Sequence, residues 1–501
     1  MADAPIVTQE PLQESRVTDH EIGKASDLLR AVQETESHRS EKEQKDIART
    51  VLDMVLEKPE VARETFSGTI ADVINEMIGS LDNEISLQLD EIMHSKSLQT
   101  LEATWRGLAQ LVCETETSDL IKIKVFDVSK EELANDLVGS SMTKPDIFQT
   151  QFFQKIHVDG YGSLEGKPYG LIVGDFEFTH QPKDMELLRG IAQVAAVAHA
   201  PFISAASPAI FDAKDFTRLT TPFSLDEILG DNGRDPWKHW REFREDPNSR
   251  YVGLVLPHTL MRAPHEHDPK NRNFTYKENV SGDYKKYLWG NAAWAFAACV
   301  TGAFDAYSWC TAIRGYEGGL VYLPDYTFER AGLDITVGPT DIKIDLGREQ
   351  ELSGYGFLPL VKIEGKAEAV FLGGQSCQKP KQYYEDEPTA SAELSARLPY
   401  IFAVCRFAHY LKARLYRKIG SFTSRQALEA DLQNWIGKYI LDKPDATHQE
   451  MAQYPLLDAK VEVKDGQKPG YYEVVARLRP HYQLERVEIS LRLVASVNKQ
   501  K

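Results

Sequence analysis

The sequence is poor in cysteine, with five among 501 residues and no Cys-x-x-Cys pair. An odd number of scattered cysteines does not build a disulfide framework, and the missing pairs exclude a zinc ribbon. We therefore expect reduced thiols and a cytoplasmic location. The start of the chain agrees, because MADAPIVTQEPLQESR has no basic residues followed by an apolar core and predicts no signal peptide.

A long uninterrupted apolar run is also missing. The nearest candidate, LWGNAAWAFAACVTGAF at residues 288–304, is broken by Gly290, Asn291 and Gly302. A segment this short and interrupted does not cross a bilayer, so it predicts a buried helix and no direct membrane insertion.

Positive charge is scarce. The chain has 58 Lys and Arg against 75 Asp and Glu, a formal net charge of −17, with a pI near 5.3. A surplus of negative charge argues against nucleic acid as a partner.

Residues 394–428 are the exception, because they contain seven Lys or Arg and no Asp or Glu. Here IFAVCRFAHYLKARLYRKIG predicts a helix, with Arg406, Arg414 and Arg417 away from its apolar face. This basic helix either has one solvated face or receives an acidic partner surface. The predicted apolar face consists of Ile401, Val404, Ala408, Leu411, Leu415 and Ile419.

Motifs for catalysis and cofactor binding are absent or incomplete. GSLEGKP, at residues 162–168, has too few residues between its glycines for a phosphate-binding loop, and FLGGQSCQ lacks the spacing of a nucleophile elbow. PHEHDP places His265, Glu266, His267 and Asp268 together, but no further ligand at a known spacing completes a metal site. We predict no enzyme, no metal and no cofactor; an α/β enzyme that uses the PHEHDP loop is the remote alternative.

Four regions follow from composition and periodicity. Residues 1–46 predict a flexible arm with one short amphipathic helix, which carries Leu28, Leu29 and Val32 and either docks on its own domain or recruits a partner. Residues 47–118 predict a helical region. Residues 119–393 alternate strands and helices and predict an α/β core, and residues 394–501 contain the basic helix and terminal strands.

The helix predicted at residues 98–112, LQTLEATWRGLAQLV, has an apolar stripe. We expect Trp105 to pack this helix onto the α/β layer, Arg106 to pair with Glu102 four residues earlier, and Gly107 to permit close approach of another group. The stripe consists of Leu98, Leu101, Trp105, Leu108 and Val112.

Strands are predicted in the core by DLIKIKVFDV (residues 119–128), YGLIVGDFEF (169–178), PFISAAS (201–207) and RYVGLVLP (250–257), with the apolar helix DMELLRGIAQVAAVAHA before the third. Ser129 and Glu132 form a capping-box pattern that opens a helix. The fold class is therefore mixed α/β.

The strongest alternation closes the sequence as a predicted β-hairpin or meander, which begins with the strand AKVEVK at residues 459–464. The apolar faces are formed by Tyr472, Val474, Ala476 and Leu478 on one strand and by Val487, Ile489, Leu491 and Leu493 on the next. The open edges of such strands pair within the domain or with another chain.

Seven segments in order between residues 98 and 494 together resemble one family, the large subunit of the type VI secretion contractile sheath, TssC or VipB. They are LQTLEATWRGLAQLV, KPYGLIVGDFEF, YLWGNAAWAFA, WCTAIRGYEGG, ELSGYGFLPL, PYIFAVCRFAHYLKARLYRKIGSF and RLRPHYQLERVEISLRLV.

The resemblance implies a phage-tail-sheath-like core and a structural function. A chain of this family pairs with the small sheath subunit TssB (VipA), and copies of the pair form a helical tube around the Hcp inner tube on a baseplate. Contraction drives the inner tube into a target cell from a membrane-anchored apparatus in the bacterial cytoplasm. The alternative is the sheath protein of a phage-like tail or extracellular contractile injection particle, which normally uses one sheath chain.

The resemblance also implies roles for particular residues. Terminal strands of this family pair between subunits, which assigns that role to the two alternating faces described above. The short helix with Leu28, Leu29 and Val32 is similar to the segment that recruits the ATPase ClpV to contracted sheaths. Glu102 and Trp105-Arg106-Gly107 form a family signature, for which we predict a structural role.

Overall fold

The computed structural model describes residues 70–139, 145–161, 166–266, 270, 274, 276–280, 282–330, 332–421, 424–465 and 472–481. Contacts divide the chain into two compact units, residues 1–85 and 86–501. The predicted arm and the predicted strand with Ile489 lie outside the described residues.

Helices and strands alternate through most of the described chain, as the mixed α/β prediction expects. The helices of eight or more residues are α1 (Ile70–Met93), α2 (Lys96–Glu114), α3 (Lys130–Leu137), α4 (Pro182–Ala198), α5 (Lys238–Glu245), α6 (Ala293–Tyr307), α7 (Leu346–Gly354), α8 (Asp386–Ser395), α9 (Leu398–Lys418) and α10 (Arg425–Ile436). The strands are β1 (Ile172–Phe178), β2 (Phe202–Ala206), β3 (Val252–Leu256), β4 (Thr259–Leu260), β5 (Trp289–Gly290), β6 (Leu320–Tyr322), β7 (Tyr326–Arg330), β8 (Leu333–Val337), β9 (Phe357–Lys362), β10 (Glu368–Phe371), β11 (Leu456–Asp465) and β12 (Tyr472–Pro480).

A six-stranded sheet in the order β1-β2-β3-β9-β10-β6 forms the centre of the second unit. The first four strands are parallel, with Phe202 opposite Val252 and Leu254 opposite Phe357. Strand β10 runs antiparallel to both of its neighbours, β9 and β6. Three of the predicted strands are β1, β2 and β3, so these predictions are confirmed. Parallel strands need covering on both faces, which explains their nearly continuous apolar sequences.

Alternate side chains of the central sheet enter two separate cores. Phe202, Leu254 and Phe357 pack with α4 and with aromatic residues of α5, whereas Ile203, Val255 and Leu358 pack with α6 and α9 on the other side. Neighbouring residues enter different cores because successive side chains of a strand point to opposite faces of the sheet. The segment at residues 288–304 is, as predicted, largely a buried helix, α6.

The predicted strand at residues 119–128 is wrong, because residues 121–129 form no strand. A strand requires a neighbour for its backbone N–H and C=O groups, and no strand among the described residues pairs with this segment. Ile121 is buried, and Ile123 packs beside the Trp294 cluster, so the segment buries these two side chains without joining a sheet. The capping box that follows is confirmed: Ser129 and Glu132 bond reciprocally at the start of α3.

Helix α9 is confirmed, and its predicted apolar face is right for Ile401, Leu411 and Leu415, which pack against the cores, but wrong for two other members. Val404 and Ile419 are exposed, whereas Phe402, Cys405 and Phe407 are buried. The reason is that α9 contacts two cores at once. Phe402 and Cys405 pack under the central sheet, and Phe407 packs in a third core below β11 and β12.

Candidate assembly surfaces

Helix α2 contacts the body of the second unit through one narrow buried face. Ala103, Gly107 and Leu111, spaced by four, are its buried positions. The indole of Trp294 in α6 lies so close to Gly107 that a Cβ atom there would overlap with its ring. The close approach predicted for Gly107 is therefore confirmed, and Trp294 is the group that approaches.

A network of charged side chains fixes α2 beside this contact. Arg106 Nε and Arg262 Nε each lie 2.7 Å from Glu102 Oε1, and Arg262 Nη1 lies 2.6 Å from Glu278 Oε2. Burial raises the pKa of Glu102, but hydrogen bonds from the two guanidinium groups outweigh it and lower the pKa below its usual value. The predicted Glu102–Arg106 pair is confirmed.

Arg262 and Glu278 were missed because they are distant in sequence from α2 and lie outside regular elements. Glu278 is almost completely buried and also lies 3.2 Å from Nε2 of His94, at the beginning of the α2 segment. A buried carboxylate needs such partners, so the network specifies how α2 docks.

Three of the five residues in the apolar stripe predicted for α2 do not face its own core, whereas Leu108 packs against the cluster around Trp294. Trp105 is 63% exposed, Leu101 56% and Val112 45%. The prediction that Trp105 packs the helix onto the α/β layer is therefore wrong. Ala103 and Gly107 face inward, where Gly107 leaves room for the Trp294 indole, and Leu101, Trp105 and Val112 point outward.

Helix α1 carries a second set of exposed apolar side chains. Their spacing of three, four and seven residues is typical of a helix that packs against another helix. The exposed side chains are Ile78, Leu81, Ile85 and Ile92, together with Leu87.

Two of the three arginines predicted on the basic helix have partners within the chain. The Arg406 guanidinium lies over the rings of Phe304 and Tyr410, and Arg414 pairs with Asp431 at 3.4 Å. Arg417 is exposed at the end of α9. Most of this charge is therefore used to hold α9 against its neighbours.

The predicted C-terminal hairpin is confirmed for its first two strands, β11 and β12, which pair antiparallel with Val461 opposite Ala476. Val474, Ala476 and Leu478 pack against the third core, and Tyr472 is 41% exposed. Val487, Ile489, Leu491 and Leu493 lie outside the described residues, as do Leu28, Leu29 and Val32.

A charged cluster without a recognisable sequence motif lies where β1 and β3 end. His258 Nδ1 lies 2.9 Å from Asp341 Oδ2, and Nε2 lies 3.0 Å from Glu177 Oε1. Burial lowers the pKa of His258, but hydrogen bonds to both carboxylates outweigh it and raise the pKa to about 10. A histidine that keeps its proton at neutral pH does not serve as a general base, so this cluster joins segments distant in sequence.

Within the described ranges, the structure has no group of three or more His, Cys, Asp or Glu side chains arranged to hold a metal ion. His265 and Glu266 of the PHEHDP loop are described, whereas His267 and Asp268 are not. None of the helices in this part of the chain is long and apolar enough to span a membrane.

Two family models match the chain in succession. The VipB (EvpB) tail sheath N-terminal domain matches residues 75–378, and the VipB tail sheath gpW/gp25-like domain matches residues 387–497. The type VI secretion system sheath protein TssC1 of Pseudomonas aeruginosa is 38% identical over 500 residues, which cover 98% of each chain.

Two solved structures of the anti-feeding prophage are also similar. A chain of its baseplate aligns at 9% identity with a TM-score of 0.33, over 62% of this chain and 66% of that one. A chain of its contracted helical sheath aligns at 10% identity with a TM-score of 0.27, over 61% and 66%. Each alignment thus spans slightly less than two thirds of the prophage chain, and scores this low carry no argument. The two matched domains and the TssC1 relative show the family: this chain belongs to the VipB family of type VI secretion system sheath proteins.

Proposed function

We propose that this chain is the large structural subunit of a type VI contractile sheath and acts without catalysis. It pairs with a small sheath subunit of the TssB (VipA) type, and the pairs stack with further copies into a helical tube in the bacterial cytoplasm. The tube surrounds an Hcp inner tube on a baseplate and drives it outward on contraction. The observation that carries the proposal is the exposed apolar surface of α1 and α2 in a chain of this family.

Exposed apolar residues occur singly on any soluble protein, but a stripe along one helix marks an interaction surface. Burying one large apolar side chain contributes about 1.5–3 kcal/mol. Leu101, Trp105 and Val112 can therefore supply much of the free energy of a stable interface. A partner helix suits this surface, because the exposed residues repeat at helical spacing on both α1 and α2.

Strand pairing supplies the second kind of link between subunits. The C-terminal sheet has two strands among the described residues, and the alternating sequence of residues 483–494 continues beyond it. Backbone hydrogen bonds give such a link affinity and alternate side chains fix its register. We assign inter-subunit pairing to the strands that carry Tyr472, Val474, Leu478, Val487, Ile489, Leu491 and Leu493.

A heterologous interface whose rotation does not close builds an open helical filament, so a chain without catalysis can form a tube. Contraction then requires two subunit packings of unequal stability, with the less stable one trapped at assembly. In this proposal some regions of the chain move as bodies during contraction, and others link the subunits. The proposed regions are an arm (1–46), a helical region (47–118), a core (119–393) and a C-terminal region (394–501). In support, the two matched family domains meet between residues 378 and 387.

The arm is proposed to recruit ClpV through Leu28, Leu29 and Val32. Deleting residues 26–36 should spare assembly and remove ClpV-stimulated disassembly of contracted sheaths, which light scattering measures after ClpV and ATP are added. Unchanged disassembly would refute this role for the arm.

Pairing with the small subunit is tested by co-expression and size-exclusion chromatography of the full chain. We expect co-elution with a TssB-type subunit from the same bacterium as one complex that survives dilution. Separate elution of two well-folded proteins would contradict the proposal.

A further inference from the structure

A row of aromatic and imidazole rings lies where helix α9 meets the core. The row begins in the helical segment 151–161, which widens to a π-helix at Gln154–Val158. There the His157 ring lies between those of Phe153 and Tyr161, with centroids 4.9 and 4.8 Å away. A π-helix is rare and frequently marks a functional position.

The row continues onto α9 and ends at α4. The centroid of the His409 ring lies 5.8 Å from that of Tyr161 and 6.2 Å from that of His199, the residue that follows α4. The last carbonyl of α4, Ala198 O, lies 3.0 Å from His409 Nε2 and 3.2 Å from Tyr161 Oη. His199 Nδ1 lies 2.8 Å from Ala196 O. Three elements distant in sequence thus meet at one helix end.

These contacts indicate which nitrogen of each imidazole carries the proton. A carbonyl oxygen only accepts, so His409 donates through Nε2–H and His199 through Nδ1–H. The Nδ1 atoms of His409 and His157 are buried and have no hydrogen-bond partner among the described residues. A second proton on His409 would therefore create a buried N–H group without an acceptor, which is unfavourable.

The charged side chains that face this row from α9 are both positive. Arg406 and Lys412 lie near His409, and Lys412 also lies near His157 and His199. Within the described ranges, no carboxylate forms an ion pair with any of the three histidines. A positive charge on an imidazole would therefore be repelled and not balanced.

The other titratable groups around the row offer no compensation. Asp159, in segment 151–161, is exposed and pairs with Lys155 at 3.6 Å. Cys405 and Tyr416 of α9 lie near Tyr161. Burial raises the pKa of the Cys405 thiol, which keeps it uncharged.

Burial and the positive neighbours together favour neutral imidazoles. Burial lowers the pKa of His409 to about 4 and outweighs the opposite effect of the Ala198 carbonyl. Burial also lowers the pKa of His199 and of His157, and Lys412 adds to both effects. At neutral pH the contact between α9 and the end of α4 therefore consists of uncharged rings and two hydrogen-bonded carbonyls.

The row also joins the two matched family domains, because His157 and His199 belong to the first and His409 to the second. We propose that these three histidines form an acid-sensitive joint between the domains, which is closed while the imidazoles are neutral and opens when they take up protons. Opening separates α9 from the end of α4, because a charged imidazole beside Lys412 is hydrated only outside the contact. The joint is independent of the proposed function, since it uses no partner chain.

The joint is tested in the full chain by hydrogen–deuterium exchange at pH 7 and pH 5, with rates corrected for the chemical exchange rate at each pH. With a pKa of about 4 when closed and the usual 6.5 when open, His409 alone should accelerate exchange in α9 about twentyfold at pH 5. Helix α7, whose buried Leu352 belongs to the other core, should keep its protection. Unchanged exchange in α9, or an equal rise in α7, would overturn the joint.

Two variants remove one titrating ring each and keep its hydrogen bond. In His409→Gln an amide replaces the Nε2–H that donates to Ala198. In His199→Asn an amide replaces the Nδ1–H that donates to Ala196, and asparagine accepts the left-handed backbone there (φ 55°). The matched control is His239→Gln, because His239 is exposed on α5.

Neither amide takes up a proton between pH 7 and pH 5, so each variant should respond less than the parent. For His409→Gln the acceleration in α9 should be about twentyfold smaller, whereas His239→Gln should respond as the parent does. A response of the two joint variants equal to that of His239→Gln would overturn the proposal. If one joint variant does not fold, the other decides the question by itself.

Discussion

Gly107 shows how one residue positions a surface. Its missing side chain admits the Trp294 indole, which places α2 with its small face inward and Trp105 outward. The glycine could be recognised from the sequence as unfavourable within a helix. The identity of the approaching group could not, because Trp294 lies almost two hundred residues away.

Gly107→Ala should destabilise the chain by about 1–3 kcal/mol, because the added methyl group overlaps with the Trp294 ring and forces a shift. Thermal unfolding measures this. Gly302→Ala is the control, since nothing lies within 4 Å of a Cβ atom there, and alanine in helix α6 should stabilise slightly. Equal melting temperatures for the two variants would contradict the packing described for Gly107.

His258 makes stability depend on pH in a defined direction. The folded pKa of His258, about 10, lies above the usual 6.5. Its contribution to the free energy of unfolding is therefore complete below about pH 6.5 and is lost as pH rises toward 10. Relative to His258→Gln, the parent chain should therefore lose stability across this range. Removing the imidazole leaves the buried Asp341 carboxylate without its charged partner and should cost about 3 kcal/mol near neutral pH. Urea unfolding at several pH values measures both effects; a difference independent of pH would contradict the charged state assigned to His258.

Among the elements, α2 shows what a periodic pattern can and cannot predict. The helix and its Glu102–Arg106 pair followed from the sequence, but the apolar stripe was assigned to the core although Leu101, Trp105 and Val112 point outward. Periodicity identifies a face that needs burial without saying whether the same chain or another buries it. The same chain buries one face of α2, and we propose that another chain buries the exposed face.

Strand prediction succeeded where apolar runs were continuous, as in β2 and β3, and failed at residues 119–128, where alternation was clear but no neighbour was present. The contacts of α10 with β11 and of His258 with Asp341 could not be predicted, because each joins segments whose proximity only the folded chain creates.

Trp105→Ala should leave the unfolding free energy of the isolated chain within about 0.5 kcal/mol of the parent, because the indole is largely exposed. It should weaken binding to the small subunit by about 2 kcal/mol or more, which is typical of a central tryptophan in an interface. Calorimetric titration measures the affinity. Leu346→Ala, an exposed leucine on α7, is the control and should bind normally; equal affinities of the two variants would remove α2 from the interface.

For the whole molecule, family membership and the exposed surfaces together describe a subunit whose apolar area is completed by neighbours. In the proposed assembly two kinds of link join the subunits: helix surfaces bury apolar side chains, and the C-terminal strands pair through backbone groups. Strand links can persist during a change of packing because their hydrogen bonds are local to the sheet.

Ile489→Asp should abolish tube assembly, because a charge on the apolar face of the pairing strand must be buried or the strand must detach. Negative-stain images of the co-expressed proteins test this. Ser490→Asp, which places the same charge on the opposite face of the alternating segment, should assemble. Normal tubes from Ile489→Asp would refute the role of this strand.

The central claim, a two-component contractile sheath, is tested most directly by electron microscopy of the chain purified with and without a co-expressed small sheath subunit. The account predicts long tubes only when both proteins are present. Tubes from this chain alone would instead indicate a sheath with one type of subunit, as in phage-like particles, and discrete particles under both conditions would contradict a sheath function.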